Sequence, residues 1–477
     1  MFYMIRPTVM FRNCGEIGYI TDNALFGYRV QGDEALYPGE RYVSGSGVLM
    51  LDVLEKRPRH IDEVVAELCH VYVNVPCETI KKDAIGFYDL LSKDGFLSCG
   101  MTKDECIDGA VRRVANDVVK CRGSYQSNVN CLKLAMAHNE SLKSIHLELA
   151  TECNERCVHC YIPHKCKVDR IDFGLVSRLL DEARDIGVLN VTLSGGEPLL
   201  HQDLLAILSK CREFDFSVNV LTNLTLLSDL IVDEMRKNPL LSVQTSIYSM
   251  REDVHDEITG IKGSLAKTLK AVQKLKLSGI PLQISCPIMQ ANKDSFMEVV
   301  SWGDKYGVQV ATEFVIFASL DHTGSNLKCR LSIDDVGNAF DRRSNVSYVS
   351  SMKKLAEERE HLSGTDPICS VCRYYVCVSS TGKAYPCPGW QNKELGDLNR
   401  QTLKEIWHDS RGVKELRSVR RSDFGGCMQC KDKGYCNICM MSNSNEDRNG
   451  DAFKVNKFHC QVASLLHAKV DSFTRGR

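Results

Sequence analysis

Apolar and polar positions along the 477-residue chain change rhythm three times. Near the start, short aromatic-rich pieces such as GYITDNALFGYRV read as hairpin strands. Apolar residues then recur at helical spacing over 47–56, 61–72 and 79–92, and GFLS follows as a further strand. Residues 1–100 are therefore expected to form one small domain, and the weakly periodic, mixed-charge stretch 101–142 a helical connector. From 143 onward the β-rich runs IHLELA, NVTLSG, FSVNVLT, LSVQTSI, PLQISCPI and VQVATEFVI alternate with amphipathic segments such as FGLVSRLLDEARDIG and GSLAKTLKAVQKLKLSG. This alternation predicts parallel βαβ units. About six units are fewer than a closed eight-fold barrel needs, so the expected class is α/β with a partial (β/α)6 barrel over 143–340. A bridging segment, 341–365, leads to a tail, 366–477, rich in Cys, Gly and short loops. Metal rather than a large apolar core is expected to order that tail.

Composition changes this picture in one respect only. With 43% hydrophobic and 25% charged residues the chain is ordinary for a globular protein. Lys and Arg total 60 against 61 acids, a net charge of -1, which gives no electrostatic reason to expect nucleic acid or an anionic membrane as partner. The start MFYMIRPTVMFRNCGE lacks the apolar stretch of a secretion signal and no later run is long enough to span a bilayer, so a cytoplasmic location is expected. The abnormal number is 23 cysteines. In a reducing compartment, grouped cysteines hold metal more often than they pair. Cys14, Cys69, Cys77, Cys99, Cys106, Cys121, Cys131, Cys211, Cys286 and Cys329 stand alone and are expected to be small buried hydrophobes.

Directly after the first barrel strand comes Cys153-Asn-Glu-Arg-Cys157-Val-His-Cys160. Loops at strand C-termini carry the reactive groups of parallel barrels. Three thiolates there hold three irons of a four-iron cluster and leave the fourth open to a ligand. The next strand ends in Gly195-Gly196-Glu197-Pro198, where paired glycines permit close backbone approach. Together these residues resemble the radical S-adenosylmethionine (SAM) superfamily, whose signature is CxxxCxxC after strand one and GGEP at the end of strand two. The resemblance implies that SAM chelates the open iron, that Gly195, Gly196 and Glu197 lie against its methionine amine, and that reductive cleavage yields a hydrogen-abstracting 5′-deoxyadenosyl radical. It also implies ribose and carboxylate contacts from Asn223 and Ser246, and an adenine contact from Tyr161. The stretch SIYSMREDVHDEITGIKGS resembles the family's S-x-D-G…H-D…G-x-x-G-S region, with Tyr248-Ser249 in place of Asp-Gly.

The tail holds Cys369, Cys372, Cys377, Cys387, Cys427, Cys430, Cys436, Cys439 and Cys460. On spacing alone, C-x2-C pairs suit zinc and iron–sulfur equally. The whole pattern resembles the SPASM extension of radical SAM enzymes. That implies two auxiliary four-iron clusters, one on Cys369, Cys372, Cys387 and Cys439 and the other on Cys427, Cys430, Cys436 and Cys460. The last pair is spaced x2 where the family has x3, and Cys377 is a ninth thiol for eight positions. With the Cys153/Cys157/Cys160 set, the implied total is three [4Fe-4S] clusters.

Residues 42–100 have the order of a winged helix-turn-helix, but from Arg59 to Gly100 four basic residues face seven acidic ones, the wrong sign for DNA. They resemble instead the peptide-recognition domain of ribosomal-peptide modifying systems, which binds a leader peptide by β-strand addition. The three parts together resemble maturases that build Cys-to-carbon thioethers, of the sactipeptide and ranthipeptide kind. The opening residues are most similar to the freyrasin type, which joins Cys to the β-carbon of Asp or Glu. The implied partners are a Cys-containing precursor peptide and an electron donor such as flavodoxin or ferredoxin. Peptide oxidation without a cross-link, carbon–carbon cross-linking, and a zinc-bound peptide-binding scaffold remain the alternatives. No residue is singled out as catalytic acid or base.

Overall fold

The computed structural model describes residues 1–13, 18–22, 40–110 and 141–475. The strands of its first part are β1 (Phe2–Ile5), β2 (Val9–Asn13), β3 (Gly18–Asp22), β4 (Glu40–Val43), β5 (Arg59–His60) and β6 (Leu97–Gly100). One antiparallel sheet runs β5-β1-β6 and another β2-β3-β4. Helices Gly45–Asp52, Ile61–Val71 and Cys77–Lys93 agree with the three helical periodicities to within a few residues. The last one buries Ile80, Ala84, Tyr88 and Leu91, one stripe at helical spacing. Tyr88 donates its hydroxyl to the Met50 carbonyl at 2.6 Å, which satisfies the one polar atom in that stripe. This part has its own apolar core.

Cys69 and Cys77, expected as separate thiols, are paired in a disulfide that ties helix Ile61–Val71 to the next helix. Cys106, Cys211, Cys286 and Cys329 are buried as expected, whereas Cys99 is exposed. Cys14, Cys121, Cys131 and most of the expected connector (111–140) lie outside the described residues.

The six expected barrel strands all form: β7 (Ser144–Ala150), β8 (Asn190–Gly195), β9 (Ser217–Leu221), β10 (Leu241–Ser246), β11 (Leu282–Pro287) and β12 (Gln309–Glu313). They pair in parallel, each with the next. One face is apolar: Ile145, Leu147, Leu149, Val191, Leu193, Val218, Val220 and Ile284 join the main core beneath helices such as Phe173–Asp185 and Ser264–Leu277. The other face is polar, with His146, Glu148, Thr192, Ser194 and Asn219 all buried. Parallel strands covered on both sides are usually apolar throughout. A buried polar inner face therefore needs hydrogen-bond partners, and it finds some within itself, as in Ser144 Oγ donating to Asn190 Oδ1 at 3.1 Å.

The tail does not stand apart. β13 (Tyr375–Val378) pairs in parallel with β7, and β14 (Lys383–Tyr385) and β15 (Gly396–Asp397) continue antiparallel, making one nine-stranded sheet. The expectation that metal substitutes for an apolar core here is corrected. Trp390, Leu398, Trp407, Val413, Met440 and Val470 are buried in the same core as the barrel helices. Trp407 is among the largest fully buried side chains of the described residues. Polar loops between these anchors hid the core from a periodicity reading.

The first part sits under the barrel. Met10 and Tyr19 pack with Leu189 and Leu240, and Lys56 Nζ pairs with Asp215 at 2.6 Å while Arg12 donates to the Phe214 and Asp215 carbonyls. Leu189, Asp215 and Leu240 precede β8, β9 and β10, so this contact is at the N-terminal ends of the strands. Among the described residues no helix is long and apolar enough to cross a membrane.

Candidate active site

At the opposite end, the loop after β7 carries Cys153, Cys157 and Cys160, and hydrogen bonds to its backbone fix it from three sides. The β8 end supports it through Gly196 N–H to the Ala150 carbonyl (2.6 Å) and Glu197 N–H to the Glu152 carbonyl (2.8 Å). A Cβ on Gly195 would lie 2.0 Å from the Ala150 oxygen, and one on Gly196 2.2 Å from that of Glu152. The paired glycines are thus required by the approach of loop to strand end. Helix Glu252–Thr259 supports the loop through Arg156 N–H to Thr259 and Val158 N–H to Ile258. The segment after β12 adds Asn326 Nδ2 to the His159 carbonyl (3.0 Å) and Leu320 N–H to that of Tyr161 (2.9 Å).

Glu197 is fully buried, and its carboxylate accepts from Leu199 N–H, Thr222 Oγ1 and Asn223 N–H at 2.9, 2.6 and 2.8 Å. It ties β8 to the end of β9, and burial raises its pKa to about 7. Asn223 donates to Asn154 Oδ1 at 2.9 Å and lies 4.0 Å from the Cys153 sulfur. Ser246, at the end of β10, is half-buried and hydrogen-bonds the Tyr248 hydroxyl. Tyr161 donates to Glu148 Oε1 at 3.2 Å. The structure thus brings Gly195, Gly196, Glu197, Asn223, Ser246 and Tyr161 to the strand ends around one loop.

Several residues of this site were not singled out from sequence. Glu155, between the first two cysteines, accepts from Ser264 Oγ at 2.5 Å, and Lys167 donates to its carbonyl. Tyr248, the departure from the family's Asp, packs edge-on to His159 at 5.1 Å, and its backbone N–H donates to His255 Nδ1 at 3.3 Å. Glu148 also accepts from Gln391 Nε2 at 2.6 Å, so one carboxylate joins the cysteine loop to the tail. Cys166 follows the loop and is exposed. The place of Glu155 inside the loop motif is a signal that could have found it; nothing local marks Gln391.

The thiols of the loop have the chemistry of a cluster-binding set. Burial, then Glu155, Cys160 and Cys153, push the Cys157 thiol well above its usual range, and burial pushes Cys153 up to about 11. Thiols raised in this way ionise only beside a concentrated positive charge, which the iron core of a cluster supplies. The tail thiols fall into two groups. Cys387 is affected by Cys439, Cys369 and Cys372, after burial. Cys436 is affected by Cys460, Cys427 and Cys430, again after burial. Cys372 takes φ 57°, a conformation that costs a residue with a side chain about 1 kcal/mol or more, so its placement is imposed by the surrounding fold. Cys377 lies within β13 opposite His146, buried near Glu148 and Cys387. Among the described residues no three His, Cys, Asp or Glu side chains converge as a single-ion site requires.

Residues 147–303 match the Radical SAM superfamily, and residues 369–432 match the SPASM iron-sulfur cluster-binding domain. A PqqA peptide cyclase from Granulibacter bethesdensis is 24% identical over 313 residues, 59% of this chain and 80% of that protein. An AdoMet-dependent heme synthase from Methanosarcina barkeri is 23% identical over 325 residues, 64% of this chain and 93% of that protein. The crystal structure of Streptococcus suis SuiB bound to precursor peptide SuiA has a TM-score of 0.60 at 15% identity, and covers 95% of this chain and 99% of SuiB. The last likeness is one of fold and includes the part before the barrel. The chain is an enzyme that carries a Radical SAM domain followed by a SPASM iron–sulfur domain, and its cofactors are S-adenosylmethionine and [4Fe-4S] clusters.

Proposed function

We propose that the enzyme forms thioether cross-links between Cys and the β-carbon of Asp or Glu in a ribosomally made precursor peptide. The observation that carries this reading is the Glu148 bridge: Tyr161 of the radical-cluster loop and Gln391 of the tail share one buried carboxylate. A thiol-rich tail is thereby coupled to the mouth of a polar-lined barrel. The peptide in the SuiB structure and the cyclase's peptide substrate support a peptide as substrate.

In this reading Cys153, Cys157 and Cys160 hold the radical cluster, and the other two hold to Cys369, Cys372, Cys387 and Cys439, and to Cys427, Cys430, Cys436 and Cys460, three [4Fe-4S] clusters in all. Reduced and carrying SAM, the first supplies a 5′-deoxyadenosyl radical. Gly195, Gly196, Asn223, Ser246 and Tyr161 line the SAM side; because the Glu197 carboxylate is engaged by three protein donors, its contact falls to the backbone. Residues 1–100 act as a winged-helix recognition domain that takes the leader by strand addition. Residues 101–142 connect, 143–340 form the barrel, 341–365 bridge and 366–477 carry the auxiliary clusters. Flavodoxin or ferredoxin supplies electrons, and the reducing cytoplasm keeps the grouped thiols available to iron.

The test is anaerobic reconstitution with SAM, reductant and small Cys-containing peptides sought in the neighbouring genome. Loss of a hydrogen pair together with loss of Cys alkylation supports a thioether. Loss of the hydrogen pair with Cys still alkylated means oxidation or a carbon–carbon link, and overturns it.

A further inference from the structure

The parallel register sets Gln244, Gln283 and Gln309 side by side on β10, β11 and β12. In a parallel sheet such paired residues share a face. Ile284 and Cys286, which alternate with Gln283, belong to the core beneath the helices, so the three glutamines are on the inner face. The row continues through Leu221, paired with Gln244, and on the far side of the barrel Glu148 pairs with Ser194. It is one pleat, about 7 Å, below Ser246 and Ser285 at the mouth.

The middle residue of this row is unusual. Gln283 is 0% exposed, and neither its Nε2 nor its Oε1 has a hydrogen-bond partner among the described residues. The buried Oε1 of Gln309 has none either. A buried, unpaired amide bears its full desolvation cost, so such groups on adjacent strands mark unused hydrogen-bonding capacity. Its chemistry is narrow. An uncharged row offers nothing to select a phosphate or a metal ion, and an apolar group would leave the amides unpaired. Amides on adjacent strands, each with a donor and an acceptor, complement the N–H and C=O groups of a peptide main chain.

We propose that Gln244, Gln283 and Gln309 form a strip that holds the main chain of the core peptide beneath the radical site, independent of its side chains. The inference rests on the peptide reading above. Gln244 and Gln309, half-buried, form the approach, and Gln283 lies between them. The strip positions the peptide while the leader contact recruits it.

The experiment uses the full-length reconstituted enzyme and the peptide that it modifies in the reconstitution above. Gln283→Met and Gln309→Met delete the amides at nearly constant volume. The readout is the ratio of 5′-deoxyadenosine released to peptide modified, with iron content measured in parallel. Loss of two main-chain hydrogen bonds is expected to raise that ratio about tenfold. A merely structural role lowers both quantities together and leaves the ratio unchanged. The second arm needs no variant: core peptides N-methylated at single amides are offered to the unaltered enzyme, and methylation beside the modified residue is expected to raise the ratio similarly. An unchanged ratio in both arms overturns the strip while the peptide reading stands. If the unaltered enzyme modifies no peptide, both fall together.

Discussion

Ser264, the first residue of helix Ser264–Leu277, donates its hydroxyl to Glu155 at 2.5 Å, and Glu155 lies between Cys153 and Cys157. A motif more than a hundred positions downstream therefore reaches back to brace the loop. Burial raises the Glu155 pKa, and the Ser264 hydrogen bond works against that. Ser264→Ala leaves a buried carboxylate short of a donor, a local cost of about 1–3 kcal/mol. The expected outcome is faster loss of about four irons from the reconstituted variant under chelator challenge, the other irons leaving at the unaltered rate.

The tail has nine thiols for eight ligand positions, and their groupings single out the surplus. Cys387 and Cys430 stand in separate groups, while Cys377 lies within the β13 ladder. Iron and sulfide quantitation is expected to give about twelve irons for the unaltered chain, about eight for Cys387→Ala or Cys430→Ala, and about twelve for Cys377→Ala. Retained iron in Cys387→Ala would sink the assignment of that set.

These cysteine groups were legible in sequence because cluster ligation imposes fixed spacings on short loops. The six barrel strands were legible because each carries a continuous β-rich run bounded by an amphipathic helix. The tail's apolar core was not, since Trp390, Trp407 and Val470 meet only through long-range packing. Glu148 gave no signal for the same reason: its partners Tyr161 and Gln391 are 13 and 243 positions away. The glycine pair was legible as a close approach, but what approaches, the Ala150–Glu152 backbone, needed coordinates.

Arg330 and Glu446 form a two-pronged ion pair at 2.6 and 3.0 Å between the segment after β12 and helix Met440–Glu446. Arg330 also lies 4.5 Å from the Phe458 ring, so its charge is enclosed on several sides. Removing one partner strands the other, which costs more than the pair's net worth. Glu446→Leu is expected to lower stability by about 2 kcal/mol, and the double change Arg330→Met/Glu446→Leu to recover most of it. Denaturant midpoints of the anaerobic reconstituted proteins check this. Equal loss in the single and double variants would mean that the pair is not what holds these segments.

The buried carboxylate of Glu148 makes stability depend on pH in a definite direction. Burial raises its pKa to about 8, against an ordinary 4.5, with the Tyr161 and Gln391 hydrogen bonds pulling only partly back. Below pH 4.5 the group is protonated in both folded and unfolded chains and contributes no slope. Between about 4.5 and 8 the unfolded chain gives up the proton and the folded one keeps it, so the unfolded state is favoured as pH rises. The loss is about 5 kcal/mol over that window and levels off above it. Glu197 adds a slope of the same sign up to about pH 7, so the effect is isolated by comparison with Glu148→Gln, which keeps the shape and removes the titration. The unaltered enzyme's melting temperature is expected to fall between pH 5 and 8 by several degrees more than the variant's. Parallel curves would mean that Glu148 is ionised in the folded protein, and that the bridge between the cysteine loop and the tail carries a charge.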